Sequence, residues 1–283
     1  MSQRITISQI LEKKKRGEKI TMLTAYDFPM ASLIDRAGID MILVGDSLAN
    51  VVLGLDSTTL VNMPEMLHHA KAVTRAVKNA LVVGDMPYDS YQADPEHAVQ
   101  NARRFIKEAG CQAVKLEWFR QCPSVAEKII KAGIPVMGHV GLTPQTVDPD
   151  EGFKVQGRDV ESAMQIIENA RILEEVGCFA IVIECVPHQV AEIITRELSI
   201  PTIGIGAGKN CDGQVLVTYD LLGLFHQFHP KFAKMYTDLS KNISKAVLRY
   251  KKEVKDSRFP SRKHVFKMDP AELKSLREIT GNH

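Results

Sequence analysis

Apolar runs of four to seven residues, mostly Val, Ile, Leu, Ala and Met, recur along the chain. Five of them stop at a single carboxylate or imidazole: LVGDS at Asp46, VVGDMP at Asp85, VKLEW at Glu117, VMGHVG at His139 and VIECVP at Glu184. Runs of that length without polar alternation read as strands buried on both faces, the kind found in parallel sheets covered by helices. The carboxyl ends of such strands are where active sites are built. Strands are predicted over 19–24, 40–44, 80–85, 112–117, 134–139, 179–184, 200–205 and 214–218. Between them, helical periodicity predicts helices near 28–37, 64–78, 95–109, 123–132, 159–176, 188–198 and 221–228. A further amphipathic helix near 7–16 is expected to plug the base, and one over 237–256 follows the last unit.

A repeated phrase supports this phasing. A helical stretch ends in Gly38, Gly110, Gly133 or Gly177, and the polar strand end follows 8, 7, 6 and 7 residues later. Glycine just past a helix can take the left-handed conformation that turns the chain into the next strand. Eight strands close a (β/α)8 TIM-type barrel, here with an extra N-terminal helix and a C-terminal helical extension. An open doubly wound sheet is the alternative, disfavoured because acidic strand ends recur over so many units. The expected organisation is one barrel domain over 1–283, with 230–283 as a helical, basic extension of it.

Composition narrows the function classes. With 283 residues and 45% hydrophobic content, the chain can build one large core. It holds no eighteen-residue apolar stretch, and its start lacks an apolar signal core, so a cytoplasmic protein without a membrane partner is expected. Net charge is +2, but residues 226–283 hold 14 Lys+Arg against 6 Asp+Glu, a local +8 that leaves about −6 elsewhere. The helical spacing of Ile243, Val247, Tyr250 and Val254 puts those lysines on a solvated face, and no recognition motif accompanies them, so no nucleic-acid partner is expected. Five cysteines without a C-x-x-C pair indicate neither a disulfide frame nor a zinc knuckle. Cys111, Cys178 and Cys185 read as small buried hydrophobes; Cys211, in a glycine-rich loop, stays open.

The strand-end residues carry the chemistry. A lone Asp after a strand is ordinarily a turn or capping residue, which is the plain reading of Asp46 and Asp85. Glutamate is a poor turn former, and burying its charge costs several kcal/mol unless something compensates. Several carboxylates at one barrel mouth repel one another unless a divalent cation intervenes, and an all-oxygen set favours Mg2+ over zinc. His139 is given an orienting or substrate-contacting role. Lys115 shares a strand face with Glu117, which suits pairing with an anionic substrate; neighbouring carboxylates oppose the depressed pKa of a Schiff-base nucleophile. The loop GIGAGKNCDGQ, with Gly204, Gly206 and Gly208, matches no nucleotide motif and reads as tight packing or close approach to substrate.

The runs VGDSLANVVLG, DMPYDSY, VKLE, GHVGLTPQ, KVQGR, ECVP, IPTIGIGAG and DGQVLV, continuing through PKFAK and FPSRKHVF, resemble the ketopantoate hydroxymethyltransferase family over most of the chain. The resemblance implies a Mg2+-binding barrel that transfers a hydroxymethyl group from 5,10-methylenetetrahydrofolate to 3-methyl-2-oxobutanoate, giving 2-dehydropantoate on the way to pantothenate and coenzyme A. It implies Asp46, Asp85 and Glu117 as the metal set, Ser47 and Lys115 as substrate contacts, and Glu184 as general base; Asp46, Asp85 and His139 are expected to line the substrate site as well. It also implies a homodecamer built from pentameric rings. The chain departs from the family pattern at Trp118-Phe119 and Glu151-Gly152, near the mouth where a folate would dock. Two rivals remain: an enolate-forming mutase or lyase on the same scaffold, whose K-[KR]-C-G-H motif the chain lacks, and a metal-dependent binding protein without turnover.

Overall fold

A computed structural model describes residues 4–145, 154–227 and 230–281. The chain divides into two compact units, Met1–Tyr236 and Thr237–His283.

In the first unit, eight parallel strands close into a barrel in chain order. They are β1 (Ile20–Thr24), β2 (Met41–Val44), β3 (Leu81–Asp85), β4 (Ala113–Lys115), β5 (Val136–Gly141), β6 (Ala180–Glu184), β7 (Thr202–Ile205) and β8 (Gly213–Leu216). The helices of this unit are α1 (Ile7–Lys15), α2 (Phe28–Arg36), the short α3 (Leu48–Val51), α4 (Met63–Ala76), α5 (Pro95–Lys107), α6 (Cys122–Lys131), α7 (Val160–Glu175), α8 (His188–Glu197) and α9 (Thr218–Leu222). The closed barrel excludes the open sheet. Gly38, Gly110, Gly133 and Gly177 all have positive φ, from 76° to 99°, as the helix-to-strand phrase requires.

Strand alternation sorts the core into two layers. Ile42, Val44, Val82, Val114, Val136, Ile181 and Ile183 face outward and pack under the helices. Ile20, Met22, Met41, Leu81, Val83, Ala113, Met137, Ala180, Val182 and Ile203 face inward and fill the barrel. Ile10 of α1 is fully buried in this interior cluster, so the N-terminal helix does plug the base. A capping box between Thr6 and Gln9 starts that helix. Asp35, 4% exposed at the end of α2, accepts bonds from Lys78 N, Asn79 N, Asn79 Nδ2 and Ala80 N at 2.8–3.0 Å and so fixes the approach to β3.

Three local expectations change. β4 ends at Lys115 rather than at residue 117, because beyond it only the β5 side continues, through Leu116 N to Met137 O and Trp118 N to His139 O at 3.0 Å. The helix expected over 221–228 begins at Thr218 and stops at Gly223, whose φ of 63° reverses the chain and lets Leu224 N bond Tyr219 O. Among the described residues no helix joins β7 to β8: residues 206–212 cross instead, and Cys211, fully buried in the outer core layer, packs against Gly204. That is the tight packing read from the glycine-rich loop.

The second unit holds α10 (Leu239–Lys255) and α11 (Pro270–Thr280), neither with a buried residue. Tyr250, Phe259 and His264 form its aromatic stack, with ring centroids 5.7 and 5.2 Å apart. Among the described residues, no helix is long and apolar enough to cross a membrane.

Candidate active site

The inward-facing row of side chains changes character at the carboxyl end of the barrel. Two residues beyond Val83 it reaches Asp85, beyond Ala113 Lys115 and then Glu117, beyond Met137 His139, and beyond Val182 Glu184. Alternation alone brings these five onto one surface. Asp46 arrives differently, from the turn after β2, where its backbone N–H donates to Asp85 Oδ2 at 3.3 Å. Ser47 follows at the start of α3, with its hydroxyl 2.9 Å from Tyr26 Oη. All seven residues line one cavity of about 680 Å³, which thus gathers every predicted site residue.

Asp85 and Lys115 are register partners on neighbouring strands, and Lys115 Nζ donates to Asp85 Oδ1 at 2.7 Å while lying 4.0 Å from Glu117 Oε1. Burial alone would lower the ammonium pKa, but Asp85, Glu117 and Asp46 outweigh it and raise the group above its ordinary value. Lys115 is therefore a fixed cation. His139 lies with Nδ1 3.6 Å from Glu117 Oε1 and Nε2 3.5 Å from Glu184 Oε2. Both ring nitrogens are buried without a hydrogen-bond partner, and burial, with Lys115 nearby, holds the ring neutral, far below the usual imidazole range.

The carboxyls share the opposite shift. Burial pushes Asp85 up to about 7 and Glu184 up to about 8, with Asp46 adding to both and Lys115 opposing. Glu117 is raised as well, by burial first and then by Asp46 and Asp85. Four carboxyls thus face one ammonium in a water-poor space, and Asp85, Glu117 and Glu184 hold their protons more tightly than in water.

The end of β6 is strained. Cys185, directly after Glu184, has φ 47°, a left-handed conformation that costs a non-glycine residue about 1 kcal/mol or more. Its N–H still bonds Ile205 O at 2.9 Å. Across from it, Gly141 (φ 95°) pairs with Glu184, and a Cβ at this glycine would run into the Glu184 carbonyl oxygen. Leu142 N bonds that same carbonyl at 2.9 Å. Close approach of β5 and β6 therefore sets His139 beside Glu184.

The strand-end pattern did not reveal Gln145 and Tyr91. Gln145, 3% exposed, donates from Nε2 to Asp46 Oδ2 at 2.8 Å and from its backbone N to Glu117 Oε2 at 2.9 Å. Tyr91 Oη donates to Gln145 Oε1 and receives the Glu117 backbone N–H at 3.3 Å. Both residues sit in loops, and only their place in the DMPYDSY and GHVGLTPQ runs hinted at a role. Of the family departures, Trp118 and Phe119 pack against the outer core rather than lining the cavity, with Phe119 edge-on to Tyr91 at 5.6 Å. Glu151-Gly152 lies outside the described residues.

The donor set suits a hard divalent ion in kind: carboxylate oxygens with more negative charge than Lys115 offsets. Among the described residues, no three His, Cys, Asp or Glu side chains stand close enough to ligate one ion together. Two adjacent carboxylates suffice for Mg2+, which commonly keeps waters and substrate oxygens as its other ligands, and Asp46 and Asp85 are such a pair.

The sequence profile described as ketopantoate hydroxymethyltransferase matches residues 4–262. The chain belongs to that family. Among its relatives, 3-methyl-2-oxobutanoate hydroxymethyltransferase of Syntrophomonas wolfei is 55% identical over 263 residues, covering 93% of this chain and 95% of the relative. Enzymes of the same name from Clostridium botulinum (strain 657 / Type Ba4) and Dehalococcoides mccartyi are 55% and 53% identical, with 96% and 99% of this chain covered and 99% of each relative. Similar solved structures include a phosphoenolpyruvate phosphomutase from Streptomyces platensis, at 15% identity and TM-score 0.60 over 97% of this chain and 95% of that one. Another is a phosphonopyruvate hydrolase, at 12% identity and TM-score 0.60 over 100% and 96%. At these identities the mutase and the hydrolase share the fold alone with this member of the hydroxymethyltransferase family.

Proposed function

We propose that this protein is a 3-methyl-2-oxobutanoate hydroxymethyltransferase acting in pantothenate biosynthesis, with 5,10-methylenetetrahydrofolate as one-carbon donor and an enolate of the oxo acid as the nucleophile. The observation that carries the reading is Glu184. It is a carboxyl held near neutrality at the barrel mouth, beside a neutral His139 and across from the Lys115–Asp85 pair. A base tuned close to the working pH is what proton abstraction next to a carbonyl needs.

The Lys115 ammonium and the Ser47 hydroxyl bind the anionic oxo acid at the cavity floor. Glu184 takes the C3 proton, and the bonding pair moves through C2 onto the keto oxygen, giving the enolate. Water adds to the donor's methylene carbon and both of its bonds to folate nitrogens break, the nitrogens taking up protons, which releases the one-carbon unit as formaldehyde. C3 of the enolate then adds to that carbon, and its oxygen takes the proton held by Glu184 to become the hydroxyl. His139, with its ring nitrogens directed toward Glu117 and Glu184, orients the base. Mg2+ held by Asp46 and Asp85, with Glu117 beside them, would supply Lewis-acid stabilisation of the developing negative charge, worth several kcal/mol.

The cavity supports a second, larger co-substrate. Its 680 Å³ lies within the range of sites that enclose drug-sized ligands, far beyond the need of a branched five-carbon acid. Assembly as a homo-oligomer, a homodecamer in the family pattern, and a cytoplasmic location complete the reading. A coupled assay with 3-methyl-2-oxobutanoate and methylenetetrahydrofolate, with and without chelator, tests it by mass spectrometry. Chelator-sensitive formation of 2-dehydropantoate is expected; binding of metal and oxo acid without product would leave a binding protein instead.

A further inference from the structure

We infer that Gln145 is a positioning residue, which with Tyr91 fixes which oxygen of Asp46 and which oxygen of Glu117 face the reaction space. The inference rests on the reading of Asp46 as a cation ligand. The amide of Gln145 is committed at every atom. Nε2 gives one hydrogen to Asp46 Oδ2 at 2.8 Å and the other to Met86 O at 3.1 Å, while Oε1 accepts from Tyr91 Oη. Exchanging O and N would set an oxygen against Asp46 and Met86 O, and an NH2 against a hydroxyl that already receives Glu117 N–H, so only one orientation satisfies the cluster.

Two carboxyl oxygens are fixed, one by that orientation of the amide and the other by the Gln145 backbone. Asp46 Oδ2 is engaged, which leaves Oδ1 as the oxygen to present to a cation. The Gln145 backbone N–H engages Glu117 Oε2 at 2.9 Å, so Glu117 turns Oε1 toward Lys115 and His139, at 4.0 and 3.6 Å. Tyr91 closes the arrangement from behind by holding the amide oxygen and the Glu117 backbone together. Every member is at most 6% exposed, so water does not replace a lost bond. A polar residue that orients a ligating carboxylate from behind tunes affinity without touching the ion.

The test uses Gln145→Met, which keeps the length and shape and removes the amide, and Tyr91→Phe, which removes one oxygen. Mn2+ binding to the full-length protein is measured by calorimetry, alongside thermal unfolding and kcat and KM for 3-methyl-2-oxobutanoate. Gln145→Met is expected to weaken Mn2+ binding about 10- to 100-fold. Tyr91→Phe is expected to weaken it less, and the double variant no further than Gln145→Met alone, because both act through one amide. Gln145→Asn, which keeps the amide but is one methylene too short, should not restore affinity. Unchanged Mn2+ affinity in folded Gln145→Met would overturn the inference, as would additive losses in the double variant. If Gln145→Met does not fold, wild-type affinity in Tyr91→Phe overturns it. Failure of the wild-type protein itself to bind Mn2+ removes the cation reading and this inference with it.

Discussion

The two ends of the barrel interior are built by the same alternation yet obey opposite rules. At the base, Ile10, Met41, Leu81 and Met137 pack without a polar atom to satisfy. At the mouth of the same barrel, Asp85, Lys115 and His139 are buried almost as deeply and Glu184 is mostly buried, against desolvation that favours their neutral forms. The lower layers supply stability at about 25 cal/mol per Å² of apolar surface, and the upper layer draws on it to hold charge out of water. A fold that carries a costly ring of ionisable groups needs a well-filled plug beneath it.

Substitutions should separate the two ends. The largest effect is expected from Glu184→Gln, which should slow exchange of the C3 hydrogen of 3-methyl-2-oxobutanoate into deuterated water by about 10²–10⁴-fold or more, read by NMR. Exchange at the native rate would remove Glu184 as the base. Next, Lys115→Met leaves Asp85 and Glu117 buried without their cation. It should cost about 3–5 kcal/mol of stability in urea unfolding near neutral pH and less at pH 5, where the carboxyls are protonated. An equal loss at both pH values would mean the ammonium matters for packing rather than charge. At the base, Met41→Ala should cost about 2–4 kcal/mol while kcat per folded molecule stays unchanged; a fall in kcat would show that the two ends are not separable.

The smallest effect is a difference in the sign of pH dependence. Glu184 has its folded pKa raised to about 8, so its contribution to stability is full below the unfolded carboxyl range and is lost as pH rises through 8. The melting temperature of Glu184→Gln should therefore gain on the wild type between pH 5 and 8. Asp35 runs the other way. Burial opposes its ionisation, but the bonds from Ala80, Lys78 and Asn79 win and lower its pKa, so its contribution is present above the ordinary carboxyl range and fades as pH falls through its folded value. Asp35→Asn should cost about 1–3 kcal/mol at pH 7 and progressively less in acid; a cost independent of pH would tie it to shape instead.

Most of the barrel was legible because its signals are local. Apolar runs mark strands doubly buried, glycines mark helix exits, and the single side chain at the end of each run marks the mouth. Glu117 and Glu184 stood out because a buried glutamate has few innocent explanations. Gln145 and Tyr91 were not legible, since a loop amide or phenol is unremarkable until tertiary structure surrounds it with carboxylates. The early stop of β4 escaped for a related reason: Val114 to Glu117 reads as continuous strand, and only the bond of Glu117 N to Tyr91 Oη instead of to β3 ends the pairing. The helix at 218–222 was displaced because Gly223 was read as interior when it is the residue that turns the chain.

Gly141 has a consequence for anyone altering this enzyme. With no room for even a methyl group between it and the backbone of Glu184, the gap between the His139 imidazole and the Glu184 carboxyl is ruled by main-chain contact, not by side-chain choice. Redesign of the pocket walls can proceed through Leu43, Val182 or Val215, but widening this seam would move the Glu184 carboxyl itself.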